Sequence, residues 1–226
     1  MEGNWSVHQI SFKEVEPWVL KRHYARRIPP ISYAFGAFDG SSLIGIVTYG
    51  VPLSSTLRTG ICGKEWEPQV LELNRLCCKN DKNIASRLVA GSMNLLPKPK
   101  IIVSYADSSQ GHIGYVYQAC NFIYTGITKR IFDWKIKGSE DLHHCSIGDE
   151  FRGKDNRLQR MKDKYGDSLY KEERSQKHRY IFFVGSKKEK KQMSSCLKYK
   201  TEQYPKGDVK RYDASATFDT QMLLIS

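Results

Sequence analysis

The stretch Lys100–Ala106, KIIVSYA, constrains this chain more than any other part of it. Its β-branched run reads as a strand buried on both faces, and it empties directly into the polar turn DSSQGHIG and a helix over Gly111–Asn121. Such a strand needs elements packed above and below it. Upstream, Val70–Cys78 (VLELNRLCC) alternates as a strand. Asn83–Leu96 reads as a helix whose Ala85, Leu88, Val89 and Ser92 share a buried stripe, stopped by Pro97. Downstream, Phe122–Trp134 (FIYTGITKRIFDW) reads as a long strand or hairpin. Ahead of all this, YAFGAF and LIGIVTYG flank Asp39-Gly40, a strong hairpin signal because glycine tolerates the positive φ of a tight turn. Strand, helix, strand, helix, strand laid beside an antiparallel hairpin implies an α/β (α+β) fold, a mixed central sheet flanked by helices.

The remaining segments are placed around that frame. Glu14–Tyr24 reads as a short helix with Val15, Val19 and His23 on one face, and Pro29-Pro30 forces an extended exit. Residues 52–69 are rich in turn formers and without period, so they read as a long loop able to cover a site. Residues 137–177 form a polar, charged insertion with one or two helices, a candidate DNA-contacting subregion. Arg179–Gly185 returns to strand, and KKEKKQMSSCLKY makes a basic amphipathic helix. A length of 226 residues with 40% hydrophobic content suits one domain, residues 1–226, better than two.

Charge narrows the partners. The net +12 and pI near 9.4 favour polyanions, and residues 135–212 hold 21 Lys and Arg against 12 Asp and Glu. Six scattered cysteines give neither a disulfide framework nor paired zinc knuckles, as expected of a reducing, cytoplasmic setting. His143-His144-Cys145 are adjacent on one backbone with no partner pair at zinc spacing, so zinc is set aside. No apolar run reaches the ~20 residues of a membrane span, and no membrane partner is expected.

Several groups carry chemistry. Asp107 ends the buried strand, where sites cluster; it suits a proton acceptor for an amine, a metal ligand, or a plain helix N-terminal acid. His23-Tyr24 sits among Arg22, Arg26 and Arg27, an imidazole and a phenol with cations that suit an anionic substrate. The turn KNDKNIAS between the Val70–Cys78 strand and the next helix lacks glycine. Lys79, Lys82 and Ser86 there, with Arg75 from the strand, are nonetheless candidates for a pyrophosphate. Lys177, His178, Arg179, Lys187 and Lys188 belong to a second run of cations interleaved with aromatics, the pattern for phosphate contacts and base stacking.

The helix and strand YVYQACNFIYTG resemble the second coenzyme A helix of GNAT acetyltransferases, with Tyr117 where a phenol protonates the departing thiolate. An ordinary core aromatic is the other reading of Tyr117. KRHYARRIP, AFGAFDGSSLIGIVTYG, LELNRLCC, ASRL, VSYADSSQGHIGYVYQACNFIYTG and KHRYIFFVG together resemble the Mom family of Mu-like bacteriophages, over roughly residues 15–208. The resemblance implies a GNAT-related transferase that converts adenine in double-stranded DNA to N6-carbamoylmethyladenine, shields phage DNA from host restriction enzymes and works in the host cytoplasm. It implies a catalytic set of His23, Tyr24, Asp107 and Tyr117, with Arg75 and Ser86 toward the cofactor. It also implies acetyl-coenzyme A or another small-molecule donor, and an iron ion on His23 and Asp107. The alternatives are an acetyltransferase for a protein or small amine, and a DNA-binding protein without catalysis.

Overall fold

The computed structural model describes residues 5–79, 83–140 and 144–207. It divides into two compact units, the second being Thr128–Gln176. In chain order the elements are β1 (Trp5–Gln9), α1 (Phe12–Lys21), β2 (Tyr33–Asp39), β3 (Ser42–Gly50), α2 (Ser55–Cys62), β4 (Val70–Cys78), α3 (Ile84–Leu95), β5 (Lys100–Asp107), α4 (Tyr115–Ala119) and β6 (Ile123–Ile127). Then follow β7 (Phe132–Ile136), α5 (His144–Asp149), α6 (Arg157–Tyr165), β8 (Leu169–Glu173), β9 (Lys177–Val184) and α7 (Lys187–Ser195). Among the described residues no helix is long and apolar enough to cross a membrane.

The larger unit is the mixed sheet flanked by helices that the alternation implied, in the order β1-β2-β3-β4-β5-β9-β6. Among the described residues only β4 and β5 pair in parallel. One face carries Leu71, Leu73, Ile102 and Ala106 against Leu88 and Val89 of α3 and Tyr117 of α4. On the other face Val15, Trp18 and Val19 of α1 pack on Ile46 and Cys77, while Ile61 of α2 and Met193 of α7 pack on Val70, Val103 and Ile181. The outer edge of β6 is covered by chain that follows α7. Glu202 N donates to Tyr124 O (2.9 Å) and Tyr204 Oη to Phe122 O (2.7 Å), which blunts an otherwise open strand. The smaller unit pairs β7 with β8 antiparallel and packs Ile147, Phe151 and Met161 under Trp134.

Three expected elements differ. Residues 52–69 are not a loop: Ser54 caps α2 by accepting from Leu57 N (3.1 Å), and Lys64–Gln69 form a 3-10 turn. The Ser, Thr and Gly content hid a helix whose stability comes from burying Ile61 and Cys62. The helix expected from Gly111 begins only at Tyr115, because Gly111 and Gly114 take left-handed φ of +67° and +80°. A Cβ on Gly114 would stand 2.3 Å from the Tyr180 ring. Phe122–Trp134 is two strands that do not pair with each other; β6 pairs with β9 and β7 with β8.

Two irregularities of β4 shape everything near it. The ladder to β5 runs from Val70↔Ile101 to Leu73↔Ser104 and then stops, so Arg75–Cys78 pair with β3 and Tyr105–Asp107 with β9. The sheet forks there. The β3 register also slips, with Thr48 opposite Arg75 but Tyr49 opposite Leu73, leaving Asn74 as a bulge. The extra residue resets the alternation. Leu76 packs with Leu73 on the α3 face, and Arg75 comes round to the face of Cys77 and Glu72.

At the fork's rim Gly50 lies against the Pro30 carbonyl, where a Cβ would stand 1.9 Å from that oxygen. Gly50→Ala is expected to cost about 1–3 kcal/mol, as overpacking of a closed contact does. A lower urea midpoint with an unchanged slope will show it.

Candidate active site

His23 is placed by the way α1 ends. The N–H groups of both Arg22 (3.1 Å) and His23 (2.9 Å) converge on Trp18 O, the second closing a wider i→i−5 turn, and His23 is left 5% exposed. Its Nδ1 accepts from Ala25 N (3.1 Å), so that nitrogen carries no proton. The ring stacks on Tyr24 with centroids 4.4 Å apart, and Tyr24 meets His112 edge-on at 6.0 Å. Burial, then the Arg75 guanidinium and His112, push the His23 pKa down to about 3. The imidazole is therefore neutral. Burial also raises the Tyr24 phenol, with Asp107 adding to the shift and Arg75 opposing it.

Asp107 ends β5 and caps the 3-10 turn after it, Oδ1 accepting from Ser109 N (3.0 Å) and Ser109 Oγ (2.8 Å). Its Oδ2 pairs with Lys177 Nζ at 3.4 Å, because β9 runs beside β5 with Lys177 opposite Asp107. Arg75 donates from Nε (3.2 Å) and Nη2 (2.8 Å) to Arg27 O and from Nη1 to Asn74 O (2.6 Å). This residue, expected toward a cofactor phosphate, ties down the loop that follows His23 and Tyr24. Tyr117 is buried against Phe122 and Tyr180 (5.4 and 5.3 Å). Its phenol, raised by burial, hydrogen-bonds Ser104 at the fork, and Ser104 Oγ in turn donates to Leu73 O (3.0 Å).

His23, Tyr24, Asp107 and Tyr117, dispersed over about ninety residues, thus act on one electrostatic neighbourhood with Arg75. Glu72 belongs to it and was missed. Burial raises its carboxyl pKa even though Lys177 and Arg75 pull the other way, and its charge is felt by Tyr105 and Tyr117. The available signal was an acid inside the apolar alternation VLELNRL. His112 was missed too, although it lies in the quoted turn SSQGHIG; burial lowers its pKa and Asp107 opposes the shift.

The other expected residues are more dispersed. Lys79 follows β4, its N–H on Ile44 O (2.9 Å). Ser86, whose Oγ donates to Asn83 O (3.2 Å), opens onto a cleft of about 380 Å³ walled by Arg87, Cys120, Phe182 and Lys190. None of His23, Tyr24, Asp107 and Tyr117 lines that cleft. Arg22 lies over Trp18 (4.8 Å), and Arg26 (φ +41°) and Arg27 are exposed. His178 Nδ1 meets Tyr124 Oη at 2.8 Å. Arg179 bonds Thr125 and covers the Tyr199 ring at 3.5 Å, while Lys187 and Lys188 are exposed on the first turn of α7. Lys82, His143, the side chains of His144 and Cys145, and everything from residue 208 on lie outside the described residues. The iron expected on His23 and Asp107 is not supported. Among the described residues no group of three or more His, Cys, Asp or Glu side chains could hold a metal ion, and two such ligands are short of a site.

A parallel strand pair that parts beside clustered acid–base groups is a place where a mixed sheet holds a ligand, the layout of an enzyme site. A profile of the Mom protein family matches residues 4–206. The chain belongs to the Mom protein family and is a transferase. It is 28% identical over 207 residues to the methylcarbamoylase Mom of Escherichia phage Mu, covering 88% of this chain and 83% of that protein. Among solved structures it resembles a GNAT-family acetyltransferase of Bacillus cereus at 14% identity and a TM-score of 0.43, over 81% of this chain and 100% of that one. A Bacillus subtilis acetyltransferase in complex with CoA is similar at 14% identity and a TM-score of 0.41, over 80% and 97%.

The neutral His23 has a consequence for stability. The unfolded chain takes up its proton near the ordinary value of 6.5, the folded protein only near 3, so stability falls as the pH drops through that window and is whole above it. His23→Gln, which binds no proton, is expected to flatten this acid limb relative to wild type in urea unfolding followed between about pH 7 and 4.

Proposed function

We propose that this protein transfers a carbamoylmethyl group to N6 of adenine in double-stranded DNA. The modified adenines would then be refractory to restriction enzymes, inside the cell that carries the DNA. Family membership and a relative named methylcarbamoylase support the reading. The observation that carries it is the fork between β4 and β5. There a half-buried carboxylate of raised pKa, Glu72, stands with the Tyr24 ring, 38% exposed and stacked on a neutral imidazole.

Adenine N6 is a weak nucleophile because its lone pair is drawn into the ring, and it must lose a proton as its new bond to carbon forms. Glu72 is the acceptor this site offers. A carboxylate whose pKa has risen is a stronger base for that proton, whereas Asp107 is already engaged by Ser109 and Lys177. Asp107 then holds the turn and orients Lys177. The Tyr24 ring, exposed on one side, stacks on the base, which must leave the helix because N6 lies within the stacked duplex. Arg22, Arg26, Arg27, Lys187 and Lys188 supply exposed or half-exposed charge for phosphates.

The donor side fits a molecule with an amide-bearing arm, such as a coenzyme A conjugate. Beyond Leu73 and Ser104 the facing edges of β4 and β5 have no ladder partner in each other, and an extended arm can pair there. Lys79 and Ser86 are the residues offered to its phosphates. A plain acetyl thioester gives an N-acetyl amide, so the donor of a carbamoylmethyl group must present an electrophilic methylene whose bond to a leaving group breaks as the C–N bond forms, the leaving group departing with that electron pair.

Mass spectrometry of nucleosides from plasmid co-expressed with the protein tests this. Wild type is expected to yield N6-carbamoylmethyladenine. Glu72→Gln should lower the yield about 100-fold or more, the range of a lost general base, and Asp107→Asn less steeply. Soluble, folded wild type that leaves adenine unchanged, or that N-acetylates an amine instead, overturns the proposal.

A further inference from the structure

Residues 108–114 join Asp107 to α4 and carry His112, whose ring meets Tyr24 edge-on at 6.0 Å. A connection with two left-handed glycines and one short 3-10 turn has little of its own to hold a single shape. It is held from outside. His112 N–H donates back to Asp107 O (3.1 Å), and the next carbonyl, Ile113 O, takes two side-chain donors, Tyr180 Oη and Gln118 Nε2 (3.2 Å). Gln118 Nε2 also lies 3.1 Å from Tyr180 Oη and 3.5 Å from Pro205 O. Phenol, amide and carbonyl close a triangle to which β9, α4 and the turn each give one member.

The phenol is the telling member. Tyr180 is fully buried in the middle of β9, opposite Ser104 on β5 and Tyr124 on β6, and its ring packs on those of Tyr117 (5.3 Å) and Tyr124 (5.1 Å). A phenylalanine would fill the same space and bring no buried hydroxyl to satisfy. The ring thus accounts for the packing, and the hydroxyl is spent on Ile113 O, one residue past His112. Gly114 completes the seat. Any Cβ there would run into the Tyr180 ring, so the turn lies against the phenol only because that residue is glycine.

We propose that Tyr180, with Gln118, is a positioning residue of the active site: it fixes the turn so that His112 holds the Tyr24 ring in the attitude in which that ring receives the base. The inference rests on the proposed function and deepens it, assigning buried residues that act through His112 and Tyr24 and touch no substrate. Tyr24 is gripped by its stack on His23 (4.4 Å) and by the edge-on contact with His112. A ring already held on two sides loses less freedom when a base stacks on it. Without the triangle the two glycines would let His112 drift, and a misplacement of about 1 Å near reacting groups costs as much as 100-fold in rate.

The test joins an NMR titration of the purified full-length chain to the nucleoside assay on co-expressed plasmid. In wild type His112 should take its proton below the ordinary 6.5, because burial outweighs the opposing pull of Asp107. Tyr180→Phe keeps the ring and leaves Asp107, His23 and Tyr24 around that imidazole in place. It should free the turn, wet the ring and move the His112 titration up toward 6.5, with little change in the urea midpoint. Should that variant fail to fold, Gln118→Leu, at the half-buried partner, gives the same test. In the plasmid, Tyr180→Phe and His112→Ala should each lower the yield of modified adenine about tenfold, and the double variant should fall no further than His112→Ala alone. A His112 titration that the substitution leaves unchanged overturns the proposal. So does a His112→Ala protein that modifies adenine at the wild-type level, or a double variant whose loss is the product of the single losses. Wild type that leaves adenine unmodified overturns the proposed function, and the titration then decides the positioning role by itself.

Discussion

The side chain of Asn74 is the point on which the site depends. As the bulged residue of β4 it has no ladder partner on β3, and its amide joins the loop that ends at Pro30 to β3. Its Nδ2 donates to Pro30 O (2.8 Å) and its Oδ1 accepts from Thr48 Oγ1 (2.6 Å). One residue thereby fixes the loop after His23 to the centre of the sheet. The same bulge turns Arg75 onto the face where it clamps Arg27 O, so backbone irregularity and loop anchoring have a single origin.

Around that anchor the site sets burial against charge. Burial keeps His23 neutral and raises Glu72, and two cations only partly offset the second shift. A group that must take a proton near neutral pH needs such a balance, because a fully solvated carboxylate is too weak a base and a fully paired one is spent. Glu72 and Asp107 show two settings within one neighbourhood, the first dominated by burial and the second bonded by Ser109 and Lys177. Tyr117 shows a third: it is held by Ser104 at the root of the fork, where its hydroxyl bonds the strand from which the fork opens.

Much of this was legible in the residues. The buried run KIIVSYA, the hairpin at Asp39-Gly40 and the stripe Leu88, Val89, Ser92 each depend on local period, and local period survives folding. His23-Tyr24 and Asp107 stood out because titratable groups at the end of a helix or strand are conspicuous. Glu72 did not, since an acid within a strand reads as a solvent-facing residue until the helices on that face are known. The helix at Ser55–Cys62 was equally hidden, as its small polar residues carry weak propensity and its stability is tertiary.

The sequence by itself determined most of the order of the elements, the mixed sheet they build and the residue types available for acid–base work. Only the tertiary structure decided which of them meet. It set β9 between β5 and β6, bringing Lys177 to Asp107 from a distant part of the chain, and it turned Arg75 through a bulge that exists only against β3. The reason is physical: alternation and capping act over a few residues, whereas register, forks and bulges are properties of strand pairs. Their energy resides in contacts between segments that no local pattern can name.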